Sequence, residues 1–166
     1  MLYIYRRKSM AHLFLEQDPI GRIGEAAAKA YLRRRYLALR KMDFKTEVAD
    51  FECVRHNGAI HIWEVKTVKG LWENYTIEVE QLNVSKNAMI PKHISHHNEI
   101  DYMAYWDIER SELLVYKMKD LYKFILANKD KAVVNNFGTA KIIFLRRHNI
   151  DAGYAGTIKN IKKKNS

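Results

Sequence analysis

The sequence predicts an α/β fold, a central mixed β-sheet flanked by helices, and three observations predict it. A helical period runs through residues 20–39, two β-type runs surround an Asn-Gly turn at residues 57–58, and a second strand pair at 100–117 leads into another helical stretch. At 166 residues the chain fits one domain, with 48% hydrophobic and 29% charged residues, enough apolar surface for a packed core. The expected domain covers residues 1–158, followed by a basic tail at 159–166 that includes Lys162, Lys163 and Lys164.

The elements follow in order. Asp18-Pro19 with Gly21 marks a helix entry, and Ile23, Ala27, Ala30, Tyr31 and Arg34 recur at helical spacing to about Leu39. Ile23, Ala27, Ala30 and Tyr31 are expected to face the core, and Lys29, Arg33, Arg35 and Arg40 the solvent. Residues 50–55 and 60–67 read as a hairpin, because Asn57-Gly58 supplies positive backbone angles for a tight turn. Tyr75 to Val79 is a further strand candidate and Glu80 to Ala88 reads as a helix stopped by Pro91. Residues 100–108 and 113–117 flank the polar turn 109–112. Asp120 is placed as the cap of a helix ending near Asn128, with Leu121, Phe124 and Ile125 buried, and Lys141 to Arg146 is another strand.

Charge narrows the function classes. Lys plus Arg number 29 against 19 Asp plus Glu, a formal +10, which favours a polyanionic partner: nucleic acid first, an anionic membrane surface second. Cys53 is the single cysteine, so neither an intrachain disulfide nor a Cys-rich zinc site can form. With no apolar run of roughly 20 residues, no membrane span is expected; nucleic acid is taken as the partner in preference to a membrane, and the reading is a cytoplasmic protein (the host's cytoplasm if viral).

The chemistry concentrates on the hairpin. Glu64 and Lys66, two apart on a strand, project from one face, and Asp50 begins the strand that the turn folds alongside. The three can meet at the open end of the hairpin. Two carboxylates are hard oxygen donors suited to Mg²⁺, and a neighbouring lysine can orient or deprotonate water and offset charge on phosphorus. By spacing alone, the same residues describe a solvated ion pair on a sheet edge.

Asp50, the hairpin, Glu64-Val65-Lys66 and a preceding helix carrying Gly24-Glu25 together resemble the PD-(D/E)XK nuclease superfamily over roughly residues 20–107. Ala49 stands where the family name has its proline. The resemblance implies a restriction-endonuclease-like core, with Asp50, Glu64 and Glu25 holding the metal and Lys66 assisting the water. Gly21-Arg22-Ile23-Gly24-Glu25 and Gln81 are most similar to archaeal-type Holliday junction resolvases and related phage or restriction-type nucleases. That implies Gln81 as a further site residue, a homodimer, Mg²⁺ as cofactor with Mn²⁺ as substitute, and duplex or branched DNA as substrate. Arg22, Arg33, Arg34, Lys69 and Lys86 are candidate nucleic-acid contacts. Two other functions stay open: an RNA-directed nuclease, and a non-catalytic nucleic-acid-binding module on the same fold.

The remaining features have plainer readings. His93, His96 and His97 sit in a loop after Pro91 that offers no fixed zinc scaffold. Ser85 and Lys86 are expected on the surface of the 80–88 helix. Trp63, Trp72, Tyr102, Tyr105 and Trp106 are expected in the core or an interface. Cys53 reads as a small buried hydrophobe, and His61 as structural, on the face opposite Glu64.

Overall fold

The computed structural model describes residues 10–43, 49–71, 73–83, 85–91, 97–136, 138–147 and 154–159. Helix α1 (Met10–Leu32) leads into a six-stranded mixed sheet ordered β1-β2-β3-β6-β7-β10. Its strands are β1 (Ala38–Lys41), β2 (Phe51–Val54), β3 (Ile60–Val68), β6 (Tyr102–Asp107), β7 (Glu112–Lys117) and β10 (Tyr154–Lys159). The β3–β6 pair is parallel and its neighbours are antiparallel. A second, antiparallel sheet ordered β5-β4-β9-β8 consists of β4 (Asn74–Asn83), β5 (Ala88–Pro91), β8 (Val133–Val134) and β9 (Ala140–Arg146). Helix α2 (Met118–Asn128) and a 3₁₀ turn (Lys129–Lys131) connect β7 to β8.

Two apolar clusters cover the two faces of the large sheet. On one face Ala28 and Leu32 of α1 pack with Phe51, Cys53, Trp63, Val65, Ala104 and Leu113. On the other, Met103, Tyr105, Leu114 and Tyr116 meet Tyr75, Ile77, Val79, Ile143 and Leu145 of the second sheet and Leu121 and Ile125 of α2. The mixed α/β expectation is met, and a helix-covered face and a sheet-covered face bracket the strands that carry Asp50, Glu64 and Lys66.

The hairpin forms as the turn chemistry dictates, with one difference. Phe51 pairs with Trp63 and Val54 with Ile60, and Arg55 N–H donates to Ala59 O. Gly58 alone takes a positive φ, +82°, while Asn57 Oδ1 accepts from Ala59 N–H.

Several expectations are corrected. Helix α1 starts at Met10, runs through Pro19, and ends at Leu32 instead of continuing to Leu39. It stops because Tyr36 turns in to contact Trp63 and His61, and Leu37 N–H donates to Val54 O at the entry to β1. The buried face of α1 is Gly24, Ala28 and Leu32, with Ala27 and Tyr31 at its margin; Ile23 is half exposed and Ala30 is exposed. Residues 80–88 are not a helix. Strand β4 continues to Asn83, because its ladder with β9 extends from Asn74↔Arg146 to Gln81↔Ala140, and the turn into β5 is closed by Asn83 Oδ1 accepting from Lys86 N–H and by Asn87 at φ 46°. Ser85 and Lys86 lie in that turn.

Asp120 is not the cap of α2. The helix begins at Met118, whose N–H donates to Asp101 O, and Asp120 sits in the first turn, where its charge favours the helix dipole. His93, His96, Trp72 and residues 160–166 of the tail lie outside the described residues. Among the described residues no helix is long and apolar enough to cross a membrane.

Candidate active site

Strand alternation sets the site. Trp63 and Val65 point into the cluster under α1, so Glu64 and Lys66 emerge on the opposite face, toward the second sheet. Asp50 precedes β2 but is fixed as if part of it: its N–H donates to Trp63 O and its C=O accepts from Met42 N–H. Its carboxylate then turns to β3, where Oδ2 accepts from Val65 N–H at 2.7 Å. Lys66 Nζ is paired with Glu64 Oε1, and the Glu64 side chain retains only 12% exposure. Tyr105, in register with Lys66 on β6, adds its buried ring beside them and donates its hydroxyl to Thr76 O of β4.

Electrostatics joins these groups. Burial pushes the Asp50 carboxyl up to about 7, the Glu64 charge pushes the same way, and Glu25 adds to it; the Val65 N–H and Lys66 only partly oppose them. Burial alone would lower Lys66, but the charge and hydrogen bond of Glu64, with Asp50 and Glu78 behind them, hold the ammonium above the usual lysine range. Lys66 is therefore a cation at neutral pH, suited to charge stabilisation and water orientation more than to proton abstraction. Glu78 on β4 was not singled out from the sequence. Its charge acts on both Lys66 and Tyr105, which places it on the second sheet's side of the site.

Glu25 is brought to the rim by close packing of α1 on β3. A Cβ at Gly24 would lie 1.9 Å from Thr67 Oγ1, so only glycine allows the approach, and Thr67 Oγ1 donates to Gly21 O at 3.4 Å. Next to Gly24, the Glu25 carboxylate is ion-paired with Lys41 of β1.

Of the sequence candidates, Asp50, Glu64 and Lys66 thus lie together, while Glu25 stands at the rim, paired with Lys41 and acting on Asp50 through its charge. Gln81 is placed on β4, three residues beyond Glu78 and between Ile90 and Ala140 in the ladder. Arg22, Arg33 and Arg34 are exposed on or just after α1, Lys69 follows β3, and Lys86 is exposed in the β4–β5 turn. Cys53 is buried, its thiol pushed up to about 12 by that burial, and His61 bonds Tyr36 on the face opposite Glu64. His97 stacks on Tyr122.

For a divalent cation, Asp50 and Glu64 are the donor pair on offer. A carboxylate whose proton affinity is raised by burial and by the charge of a neighbouring carboxylate is the electrostatic situation a hard cation relieves, so the donors fit Mg²⁺ in chemical type. Among the described residues no three acidic, histidine or cysteine side chains are already gathered around one point.

The sequence matches no protein-family model and no curated protein. Among solved structures, a bacterial homing endonuclease, I-Ssp6803I, is similar over 79% of this chain and 78% of its own, at 16% identity and a TM-score of 0.49.

Proposed function

We propose that this protein is a metal-dependent endonuclease that hydrolyses DNA phosphodiester bonds. The observation that carries the reading is the convergence of Asp50, Glu64 and Lys66 on one face at the open end of the β2–β3 hairpin, with the Asp50 carboxylate anchored by the Val65 N–H. Asp50 and Glu64 would hold Mg²⁺, with Glu25 contributing from the rim. When bound, that ion supplies Lewis-acid polarisation of a phosphoryl oxygen.

The chain's own groups do the rest. Lys66 places a fixed positive charge where negative charge grows on the non-bridging oxygens, and its hydrogen bond to Glu64 fixes its direction before substrate arrives. Asp50 is oriented by backbone bonds on both sides, so its free oxygen keeps one position. The formal +10 charge draws the polyanion in.

The test is cleavage of labelled linear duplex, single-stranded DNA, a four-way junction and RNA, with Mg²⁺, Mn²⁺ or EDTA, by the wild type and by Glu64→Ala and Lys66→Ala. Metal-dependent cutting abolished by both substitutions supports the reading, and the preferred substrate selects the branch. Binding without cutting on every substrate and metal would replace it with a binding module.

A further inference from the structure

Seven cations lie along α1, the turn that follows it and β1: Arg22, Lys29, Arg33, Arg34, Arg35, Arg40 and Lys41. Their positions separate them. Arg40 is engaged by Glu52 through Nε and Nη2, and Arg35 lies over the Tyr31 ring at 4.6 Å. At 3.6 residues per turn, Arg22, Lys29 and Arg33 lie within about 80° of Glu25 around the helix, all on the side away from the core, whereas Arg34 falls roughly opposite Glu25. Arg33 keeps the helical path past the end of α1, since its N–H donates to Lys29 O at 3.0 Å. Arg22 and Arg33 are exposed, and Lys29 is partly exposed. Lys41, with its side chain 54% exposed, reaches the same flank from β1 through its ion pair with Glu25.

We propose that this flank of α1, formed by Arg22, Lys29 and Arg33 with Lys41 at its inner end, is the track that binds one phosphate backbone of DNA and leads it to Asp50, Glu64 and Lys66. The proposal rests on the nucleic-acid reading above and deepens it by naming the surface. The cations are spaced along about 16 Å of helix at 1.5 Å per residue, and Glu25, between Arg22 and Lys29 on the same flank, belongs to the site. A row of cations on a helix flank binds the phosphate charge without reading bases, by displacing counterions.

The experiment is binding of a fluorescent DNA duplex, measured by anisotropy in EDTA across a salt series, so that no cleavage is required. The Arg22→Ala/Lys29→Ala double variant is expected to reduce the slope of log K against log salt by about 1.8, two phosphate contacts at roughly 0.9 each. A charge-matched Lys123→Ala/Lys131→Ala variant, altered on α2 and the 3₁₀ turn across the sheet, should keep the wild-type slope. An unchanged slope in the first variant, or an equal loss in the second, overturns the track. If that happens while Mg²⁺-dependent cutting persists, the track falls and the hydrolytic reading stands. If the slope drops as expected in a protein that cuts nothing, the track stands and the hydrolytic reading falls.

Discussion

Asp50 and Asp107 both flank strands of the large sheet, and their surroundings treat them in opposite ways. Asp107, fully buried at the end of β6, accepts from Tyr75 O–H and Arg110 Nη1 through Oδ2 and from Arg110 N–H through Oδ1. Burial works to raise its pKa, but the Arg110 hydrogen bonds and charge together with Tyr75 hold it below the usual carboxylate value. Nearby, Glu112 is ion-paired with Arg147, which ties the β6–β7 turn to the end of the second sheet. Asp50 has one backbone donor, two acidic neighbours and a lysine already engaged by Glu64, and its carboxyl is driven up to about 7. A carboxylate with its donors in place holds the two sheets together. One left short of positive charge is poised for a cation or a reaction.

The largest expected effect lies on the unsatisfied side. Lys66→Ala and Asp50→Asn should each lower the rate of metal-dependent DNA cleavage by about 10²- to 10³-fold, the scale of losing one electrostatic contact to the transition state. Single-turnover cleavage measures it, and a variant that retains full activity would erase the distinction between the two aspartates. Next comes Asp107→Ala. Removing the acid leaves Arg110 with Glu73 alone and Tyr75 with Arg147, takes three hydrogen bonds from a buried acceptor, and should cost about 3 kcal/mol in urea unfolding, with the sheets loosened against each other. A loss as small as that of a surface change would mean the network is not what joins them.

Gly24→Ala should cost about 2 kcal/mol, since the new methyl meets the stiff, β-branched Thr67 side chain. Thr67→Ala in the same chain should restore part of it. Cleavage by the single variant reports whether the position of Glu25 on α1 matters to the Asp50 cluster.

The last test is a pH dependence of opposite sign at the two sites, measured on metal-free protein. Because the Asp50 pKa is raised on folding, its stabilising contribution is complete below the usual aspartate value near 4 and is lost as pH rises through about 7. Asp50→Asn should flatten that decline and leave the protein more stable than wild type at pH 8. Because the Asp107 pKa is lowered, its contribution is present above the usual value and disappears as acid passes its folded value. Thermal unfolding from pH 3 to 8 reads both, and parallel curves for Asp50→Asn and Asp107→Asn would remove the comparison.

What the sequence made legible were the features decided by neighbours in the chain. The Asn57-Gly58 turn fixed the hairpin, period-two alternation put Glu64 and Lys66 on one face, and Leu121 and Ile125 marked the buried stripe of α2. What it hid depended on partners far away. Glu80-Gln81-Leu82 reads as the start of a helix, and only pairing with β9, some sixty residues later, carries β4 on through Asn83. Glu78 lies on the stretch already read as a strand, but no local pattern announces its relation to Lys66. The length of α1 was misjudged at both ends, since a tertiary contact of Tyr36 ends it and Pro19 does not begin it.

The separation of β4 from β9 also orders assembly in time. The β2–β3 hairpin needs a loop of only a few residues to close, so Asp50, Glu64 and Lys66 can come together as soon as residue 68 is free to fold. The parallel strand beside Lys66 arrives with residues 102–107, and the Tyr75–Leu145 and Ile77–Ile143 pairs that complete the second sheet require nearly the whole described chain. Such non-local pairings form slowly. A growing polypeptide therefore carries its acidic pair before it has a cleft around it, and competence for chemistry comes as one of the last events of folding.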